Sequence, residues 1–307
     1  MVTAGYRALR EHAAWLDLSG RGKIRATGQD RARLLHAMTT QQVEQMKPGD
    51  GAYAFFLNAQ GRILGDVNLF CFEDHFLLDT EPETRQKLLD HLDRYIIADD
   101  VTLEDLTEGM ATIAVEGPKA ASVLQKLGAP IPEASYATRV WGDRVIARVS
   151  STGSEGFFVF LPAGGKPEFE AQLAGLPEAS AADARLVRIE HGHPRYGEEI
   201  TERYLVQETG QTHAVSFTKG CYLGQEIVER VRTRAQIHRV LRRLEIDALE
   251  PPAAGTKLTS GGAGAAEIAS AAFSPALAKV VALAYVRVQF AEPGTELQLG
   301  DARARVT

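Results

Sequence analysis

The residues best placed to do chemistry lie close to position 220. Phe217, Thr218, Lys219, Gly220, Cys221, Tyr222, Leu223, Gly224, Gln225 and Glu226 run together, and a helical pattern through Ile227, Val228 and Glu229 follows. Cys221 is one of only two cysteines in 307 residues. Gly220 and Gly224 flank it and would let the backbone approach a ligand closely. Downstream come Arg230, Arg232, Arg234, Arg239, Arg242 and Arg243, with no acid in between. A thiol at a helix start, beside Lys219 and this cationic run, is where thiolate character is expected. The chemistry open to it is transient metal ligation, redox exchange or contact with a partner. One thiol cannot hold an iron–sulfur cluster alone. The plainer alternative is a small buried hydrophobe. The arginines could grip a carboxylate bidentately, touch phosphate on tRNA, or form a solvated face, which accounts for at least Arg242 and Arg243.

Lys219-Gly220-Cys221-Tyr222-Leu223-Gly224-Gln225-Glu226 resembles the signature of the YgfZ-type proteins, the folate-binding, iron–sulfur-associated branch of the glycine-cleavage T-protein (aminomethyltransferase) superfamily. Weaker similarity extends along nearly the whole chain. Gly28 to Thr40 is similar to the family's first helix, and Asn58-Ala59-Gln60-Gly61-Arg62-Ile63-Leu64-Gly65-Asp66 to the strand entry after it. Arg188 to Gly192, with Tyr196 and Gly197, resembles its pterin-binding segment. The resemblance implies an α+β fold of three lobes around a central hole that holds the folate, followed by a C-terminal β-barrel. It implies tetrahydrofolate or a derivative as cofactor. It also implies that Glu190 accepts paired hydrogen bonds from the pterin, and that Asn58, Asp66, Tyr196, Lys219, Arg230, Arg234 and Arg239 contribute to folate binding. Cys221 and Asp66 are the implied catalytic residues. T-proteins carry an Asp-Asp pair where this chain has Gly65-Asp66, so half of the pair is missing. Asp66 is left either as a base near the reacting nitrogen or as a plain hydrogen-bonding group.

The implied function is support of iron–sulfur cluster assembly or repair, with client enzymes that include tRNA-thiolating ones. The rivals are an aminomethyltransferase acting on a lipoyl carrier and a non-catalytic, folate-stabilised adaptor. The Cys221 motif and Gly65 both argue against an efficient glycine-cleavage enzyme.

Composition sets the outer bounds. The length allows more than one domain and a sizeable core. Apolar residues at 45% and charged residues at 24% are ordinary for a globular protein. A net charge of -6 argues against general nucleic-acid affinity. Two cysteines 150 positions apart make neither a disulfide framework nor a zinc site. His191 and His193 lack the helical spacing of a paired metal site, and no metal is expected. Gly261-Gly262-Ala263-Gly264 lacks the Lys-Ser/Thr of a phosphate loop. No membrane-length apolar run and no signal core occur. The expectation is a cytoplasmic monomer that meets folate, iron–sulfur partners or a tRNA-modifying enzyme, and no membrane.

The elements that must hold these residues read as follows. Asp30 caps a helix with Leu34, Leu35 and Met38 on one face. Ile63 to Phe72 alternates as a strand, with Val67 and Leu69 turned away from Asp66 and Asn68. Phe76 to Leu78 follows, then a capping box of Thr80 and Glu83 and a helical stripe of Leu88, Leu89 and Leu92. Val101 to Leu106 and Thr112 to Val115 read as strands, Gly117-Pro118 opens a helix, and Val145 to Val149 pairs with Phe157 to Leu161 as a hairpin. Asp183 caps the helix that carries Glu190. Composition shifts after Arg234, which predicts a boundary there and a small β-barrel domain over 235–307; the resemblance implies that 1–234 is an α+β folate-binding region in two lobes.

Overall fold

The computed structural model describes residues 2–233 and 237–307. Arg234, and with it the expected boundary at 234/235, lies outside the described residues. In chain order the elements begin α1 (Ala4–Glu11), β1 (Ala14–Asp17), β2 (Gly22–Thr27), α2 (Arg31–Met38), β3 (Gly51–Leu57), β4 (Ile63–Cys71), β5 (Phe76–Thr80) and α3 (Arg85–Asp93). They continue β6 (Thr102–Asp105), β7 (Met110–Glu116), α4 (Ala120–Lys126), β8 (Thr138–Trp141), β9 (Arg144–Ala147), β10 (Gly156–Pro162), α5 (Lys166–Gln172), α6 (Ala181–Glu190) and α7 (Gln225–Thr233). Six strands close the chain: β11 (Arg239–Ile246), β12 (Lys257–Ser260), β13 (Ala263–Ser274), β14 (Lys279–Arg287), β15 (Glu296–Leu299) and β16 (Ala302–Val306).

They form three β structures. The first sheet has the order β3-β4-β5-β2-β6, the second β1-β7-β10-β9-β8, and the last six strands close into a barrel. Neighbouring strands are antiparallel throughout. The expected mixed fold with a C-terminal barrel is what the chain adopts.

Alternation along the first sheet sets up the site. Ala54, Phe56, Val67, Leu69, Ile24 and Leu78 share one face and pack under Leu34, Leu35 and Met38 of α2 and Leu88 and Leu92 of α3. Each fully buried Leu or Phe there contributes about 1.5–3 kcal/mol. The opposite face carries Tyr53, Asp66, Asn68, Asp79 and Lys23, with Tyr53 opposite Asn68, Asn68 opposite Asp79 and Asp79 opposite Lys23. Phe70 and Leu77 at one end of that face meet Phe158 and Phe160 of the second sheet. The polar remainder faces a cavity.

Several local expectations change. Asp30 precedes α2, but its side chain accepts from the Asp100 amide (2.9 Å) instead of capping its own helix. Thr80 does not cap α3: its hydroxyl donates to the Asp66 carbonyl (2.6 Å), and a 3₁₀ turn at Pro82–Thr84 leads into the helix. The cap of α6 is Ser180, with Asp183 the reciprocal partner at the third position. Helix α7 begins at Gln225, so Cys221 sits in the loop before it rather than at its first turn.

The second sheet fixes one wall loop through a carboxylate. Glu116, fully buried at the end of β7, accepts from the hydroxyl of Ser150 (2.8 Å), the amide and hydroxyl of Ser151 (both 2.7 Å), and the amide (3.0 Å) and hydroxyl (2.5 Å) of Thr152. Five donors on one carboxylate lock the segment between β9 and β10. Glu116→Gln replaces one acceptor oxygen by a donor and should cost about 2–4 kcal/mol of stability. Urea denaturation that finds parent and variant within about 0.5 kcal/mol would contradict this role.

Candidate functional site

A cavity of about 480 Å³ lies between the two sheets and α6. Asp66, Val67 and Asn68 of β4 and Tyr53 of β3 line it, as do Arg21 and Glu81 from the turns flanking β2 and β5. Tyr136, Ser150 and Ser151 come from the second sheet's loops, and Arg185 and Arg188 from α6. His193, Arg195 and His213 close it. Among the described residues, nothing beyond His213 lines it.

Asp66 is buried, and the Tyr53 hydroxyl donates to its Oδ2 at 2.7 Å. Burial, then the negative charge of Glu81, push its carboxyl up to about 7. Glu81 goes the other way. The guanidinium groups of Arg21 and Arg195 (2.8 Å) converge on it and hold it below the ordinary carboxylate range against a large burial cost. Arg21 also grips Asp79 through Nε (2.8 Å) and Nη2 (2.8 Å), and Asp79 accepts from Asn68 (2.8 Å). Two carboxyl groups in one cavity therefore have different states: Glu81 charged and paired, Asp66 protonatable near neutrality.

A flat aromatic wall stands beside them. The rings of Tyr53 and His213 stack at 5.5 Å, Tyr53 and Tyr136 at 6.5 Å, and Tyr136 and His213 at 6.4 Å, all within 27° of parallel. Tyr136 has φ of 64°, a left-handed backbone conformation unusual for a non-glycine residue, with a cost of about 1–3 kcal/mol. Its amide donates to the Arg148 carbonyl (2.8 Å), and its carbonyl lies where a Cβ on Gly51 would sit, 2.2 Å away. Only glycine at 51 lets the strained tyrosine reach the wall. His193 is held neutral, since burial and the nearby Arg188 cation push it down to about 4.

The residues singled out in the sequence divide sharply. Asp66 lines the cavity. Its neighbour Gly65 faces the other way, where a Cβ would meet Leu88 at 3.2 Å. An acid at 65 would point at α3 and not into the cavity, so Gly65 carries no argument against catalysis. Glu190 does not line the cavity. Its Oε1 accepts from the hydroxyls of Tyr6 (2.6 Å) and Ser274 (2.5 Å) and its Oε2 pairs with Arg10, which ties α6 to α1 and to the barrel. Asn58 closes its own turn, accepting from the amides of Gln60 (2.9 Å) and Arg62 (3.0 Å). The Tyr196 hydroxyl lies between Lys87 (3.3 Å) and the Ile63 carbonyl (3.4 Å). None of these three lines the cavity.

The motif near 220 proves to be a docking element. Lys219 donates to the carbonyls of His36, Thr39 (2.7 Å) and Gln41 (2.8 Å), capping α2, and burial pulls its pKa down to about 7. Gly224, at φ 83°, brings its Cα so near the Asn58 carbonyl that a Cβ would stand 2.6 Å from it. Leu223 donates to the Ala37 carbonyl (2.9 Å) and Tyr222 is buried. Cys221 is exposed, as are its neighbours Gly220 and Glu226, whereas Cys71 is buried as expected. Arg230 is exposed on α7, and Arg239 pairs with Glu208 (2.8 Å) beside Tyr204 and Tyr285. Arg21, Tyr53, Glu81, Tyr136, Arg195 and His213 were not singled out. His193 enters the sequence reading only as a histidine without the spacing of a metal pair. The one local signal for Tyr53 was its strand neighbour relation to Asp66. The others come from separate loops and carry none.

Among the described residues no cluster of three or more His, Cys, Asp or Glu could hold a metal, and no helix is long and apolar enough to cross a membrane.

Comparison with known proteins places these features. Residues 1–219 match the family model described as the GCVT N-terminal domain, and residues 239–307 that of the glycine cleavage T-protein C-terminal barrel domain. An aminomethyltransferase of Streptomyces coelicolor is 30% identical over 311 residues, covering 94% of this chain and 82% of that protein. A putative chloroplastic transferase of Arabidopsis thaliana is 29% identical over 296 residues, covering 93% and 68%. The crystal structure of the glycine cleavage system aminomethyltransferase T from Bartonella henselae superposes with a TM-score of 0.88 at 25% identity, over 99% of this chain and 87% of that one.

The raised carboxyl of Asp66 has a sign that stability can report. A carboxyl whose folded value of about 7 exceeds its ordinary 3.8 binds its proton more tightly when folded. Its contribution is full below pH 3.8 and is lost as pH rises through about 7. Asp66→Asn, which keeps the acceptor for Tyr53, should gain about 2–4 kcal/mol over the parent at pH 8. Near pH 4 the gain should vanish. Parallel stability-versus-pH curves for the two proteins would refute the assignment.

Proposed function

Because the chain belongs to the glycine cleavage T-protein family, we propose that the cavity binds tetrahydrofolate and that Asp66 holds and releases a proton beside it during transfer of a one-carbon unit. The observation that carries this reading is the pairing, in one cavity of about 480 Å³, of a carboxyl protonatable near neutrality with a flat aromatic wall. Small-ligand sites span about 300–1,000 Å³ and are lined by aromatic groups with a few converging polar ones. Bound tetrahydrofolate would supply a planar pterin and a nucleophilic ring nitrogen that accepts the one-carbon unit.

The chain's own residues do the rest. Tyr53, Tyr136 and His213 offer the face on which a planar heterocycle stacks. Tyr53 fixes the rotamer of Asp66 through its hydroxyl, leaving the other carboxyl oxygen for the ligand. A general acid or base works best when its pKa lies near the operating pH, as that of Asp66 does. The neutral imidazole of His193 supplies one donor and one acceptor to the wall. Arg185 and Arg188 line the wall with their charges already paired, Arg185 to Glu198 and Arg188 to Glu198 and Glu199 (2.7 Å). With Gly65 no longer an objection, an aminomethyl group is the one-carbon unit favoured by the relatives' names.

Titration calorimetry should show tetrahydrofolate binding to the parent. Tyr136→Ala should weaken it about tenfold by removing a stacking ring. Glu190→Gln should leave affinity within about twofold while lowering the melting temperature, since it unties α1 from α6. Loss of affinity with Glu190→Gln and none with Tyr136→Ala would reverse the assignment of the site.

The exposed thiol of Cys221 favours a second reading, in which the folate-bound protein supports iron–sulfur enzymes, tRNA-thiolating ones among them. Lys219, Tyr222, Leu223 and Gly224 of its motif are consumed by packing, and the exposed Cys221 offers a thiol to a partner or a metal in transit. Cys221→Ser should leave fold and folate affinity unchanged and abolish support of iron–sulfur enzymes in a strain lacking the protein. Full rescue by the serine variant at matched expression would remove the thiol from the function.

A further inference from the structure

Six groups bear on the charge of Asp66, and five of them line the cavity with it. Tyr53 reaches it from β3, Glu81 from the turn after β5, Arg21 from the turn before β2, and Arg195 from the loop after α6. Tyr136 and Tyr196 complete the set, both neutral phenols whose ionisation Asp66 opposes. The cations do not touch Asp66. Arg21 spends its guanidinium on Asp79 and Glu81, and Arg195 spends its own on Glu81 (2.8 Å) and Glu83 (2.8 Å). Among the described residues the single side-chain hydrogen bond to Asp66 comes from an uncharged hydroxyl.

Two carboxyl groups on one cavity wall cannot both ionise cheaply, and the proton goes to the one without cationic partners. We propose that Glu81 is a positioning residue for Asp66: its carboxylate, clamped by Arg21 and Arg195 on the wall of the cavity that both acids line, favours the protonated form of the buried Asp66 carboxyl, so that near neutral pH a large share of the molecules meet the ligand with a neutral acid. The clamp matters as much as the charge. Without the two arginines Glu81 would share the proton, and the pair would titrate as one unit. With them, the anion is fixed on Glu81 and the mobile proton on Asp66. A ligand nitrogen can then accept a hydrogen bond from Asp66 without first displacing a counter-ion. This deepens the folate reading, on which the identity of the ligand rests; the placement of the proton belongs to the free protein.

The test uses the full-length, ligand-free protein labelled with carboxyl-13C aspartate. The Asp66 resonance is assigned by its disappearance in Asp66→Asn, and its titration midpoint is followed by NMR. Glu81→Gln removes the anion and frees both arginines, so the midpoint should fall by roughly one pH unit or more. Arg195→Gln weakens the clamp and leaves more negative charge near Asp66, so the midpoint should rise. Glu81→Asp keeps the charge and should restore the parental midpoint. A midpoint within roughly 0.3 unit of the parent in folded Glu81→Gln overturns the proposal. If that variant does not fold, an unmoved midpoint in Arg195→Gln does so. Calorimetry with tetrahydrofolate across pH separates the two readings. Midpoint shifts as described in a protein that binds no tetrahydrofolate would uphold the Glu81 arrangement and sink the folate assignment instead.

Discussion

The first sheet carries three acids on or beside its inner face, Asp66, Asp79 and Glu81, and Arg21 is the group that makes this tolerable. Its guanidinium lies between two carboxylates at the end of β5, bidentate on Asp79 and paired to Glu81. Removing one partner of a buried ion pair typically costs about 3–5 kcal/mol, because the other charge is left stranded. Every further feature of the cavity is arranged around that constraint. Arg195 shares Glu81, Asn68 shares Asp79, and Lys23 turns its ammonium away to the carbonyls of Ser19 (2.7 Å) and Arg21 (2.8 Å). Asp66 is the acid that no cation contacts, and burial together with the Glu81 charge outweighs the more distant Arg21 and Arg195 to raise its carboxyl.

Rigidity is supplied from outside the cavity. Glu116 pins Ser150 and Ser151, Glu190 fastens α6 to α1 and the barrel, and Glu199 holds Arg188 (2.7 Å) and the Arg195 amide (2.9 Å). Each is a buried carboxylate with several donors, a strong interaction in a low-dielectric interior. The barrel takes part through Tyr285, whose hydroxyl donates to the Glu199 carbonyl (2.9 Å), and through Ser274 on Glu190. It contributes no lining residue among those described, yet it steadies the helix that does. The docked loop of Lys219 and Gly224 does likewise for α2 and the Asn58 turn.

Much of this was legible in the chain, and for local reasons. Period-two alternation put Asp66 and Asn68 on the face opposite Val67 and Leu69, and the structure keeps them there. The apolar stripes of α2 and α3 and the β9–β10 hairpin followed from spacing alone. The resemblance to T-proteins carried the mixed fold and the barrel. Even Gly65 was interpretable: residues 65 and 66 must face opposite ways on a strand, so the missing acid could not have shared the cavity.

What the chain could not disclose were partners brought together from distant positions. Glu190 sits on the expected helix, but which neighbour covers its carboxylate depends on α1, 180 residues away, folding back on α6. Lys219 and Arg239 bear charges fit for a ligand, and tertiary packing spends them on a helix end and on Glu208. Arg21, Glu81, Tyr136 and Arg195 have no periodicity or motif to mark them. Backbone preference and side-chain alternation act over a few residues and are written in the sequence. The pairing of charges and the shaping of a cavity are settled by loops meeting across two sheets, and only the folded chain decides them.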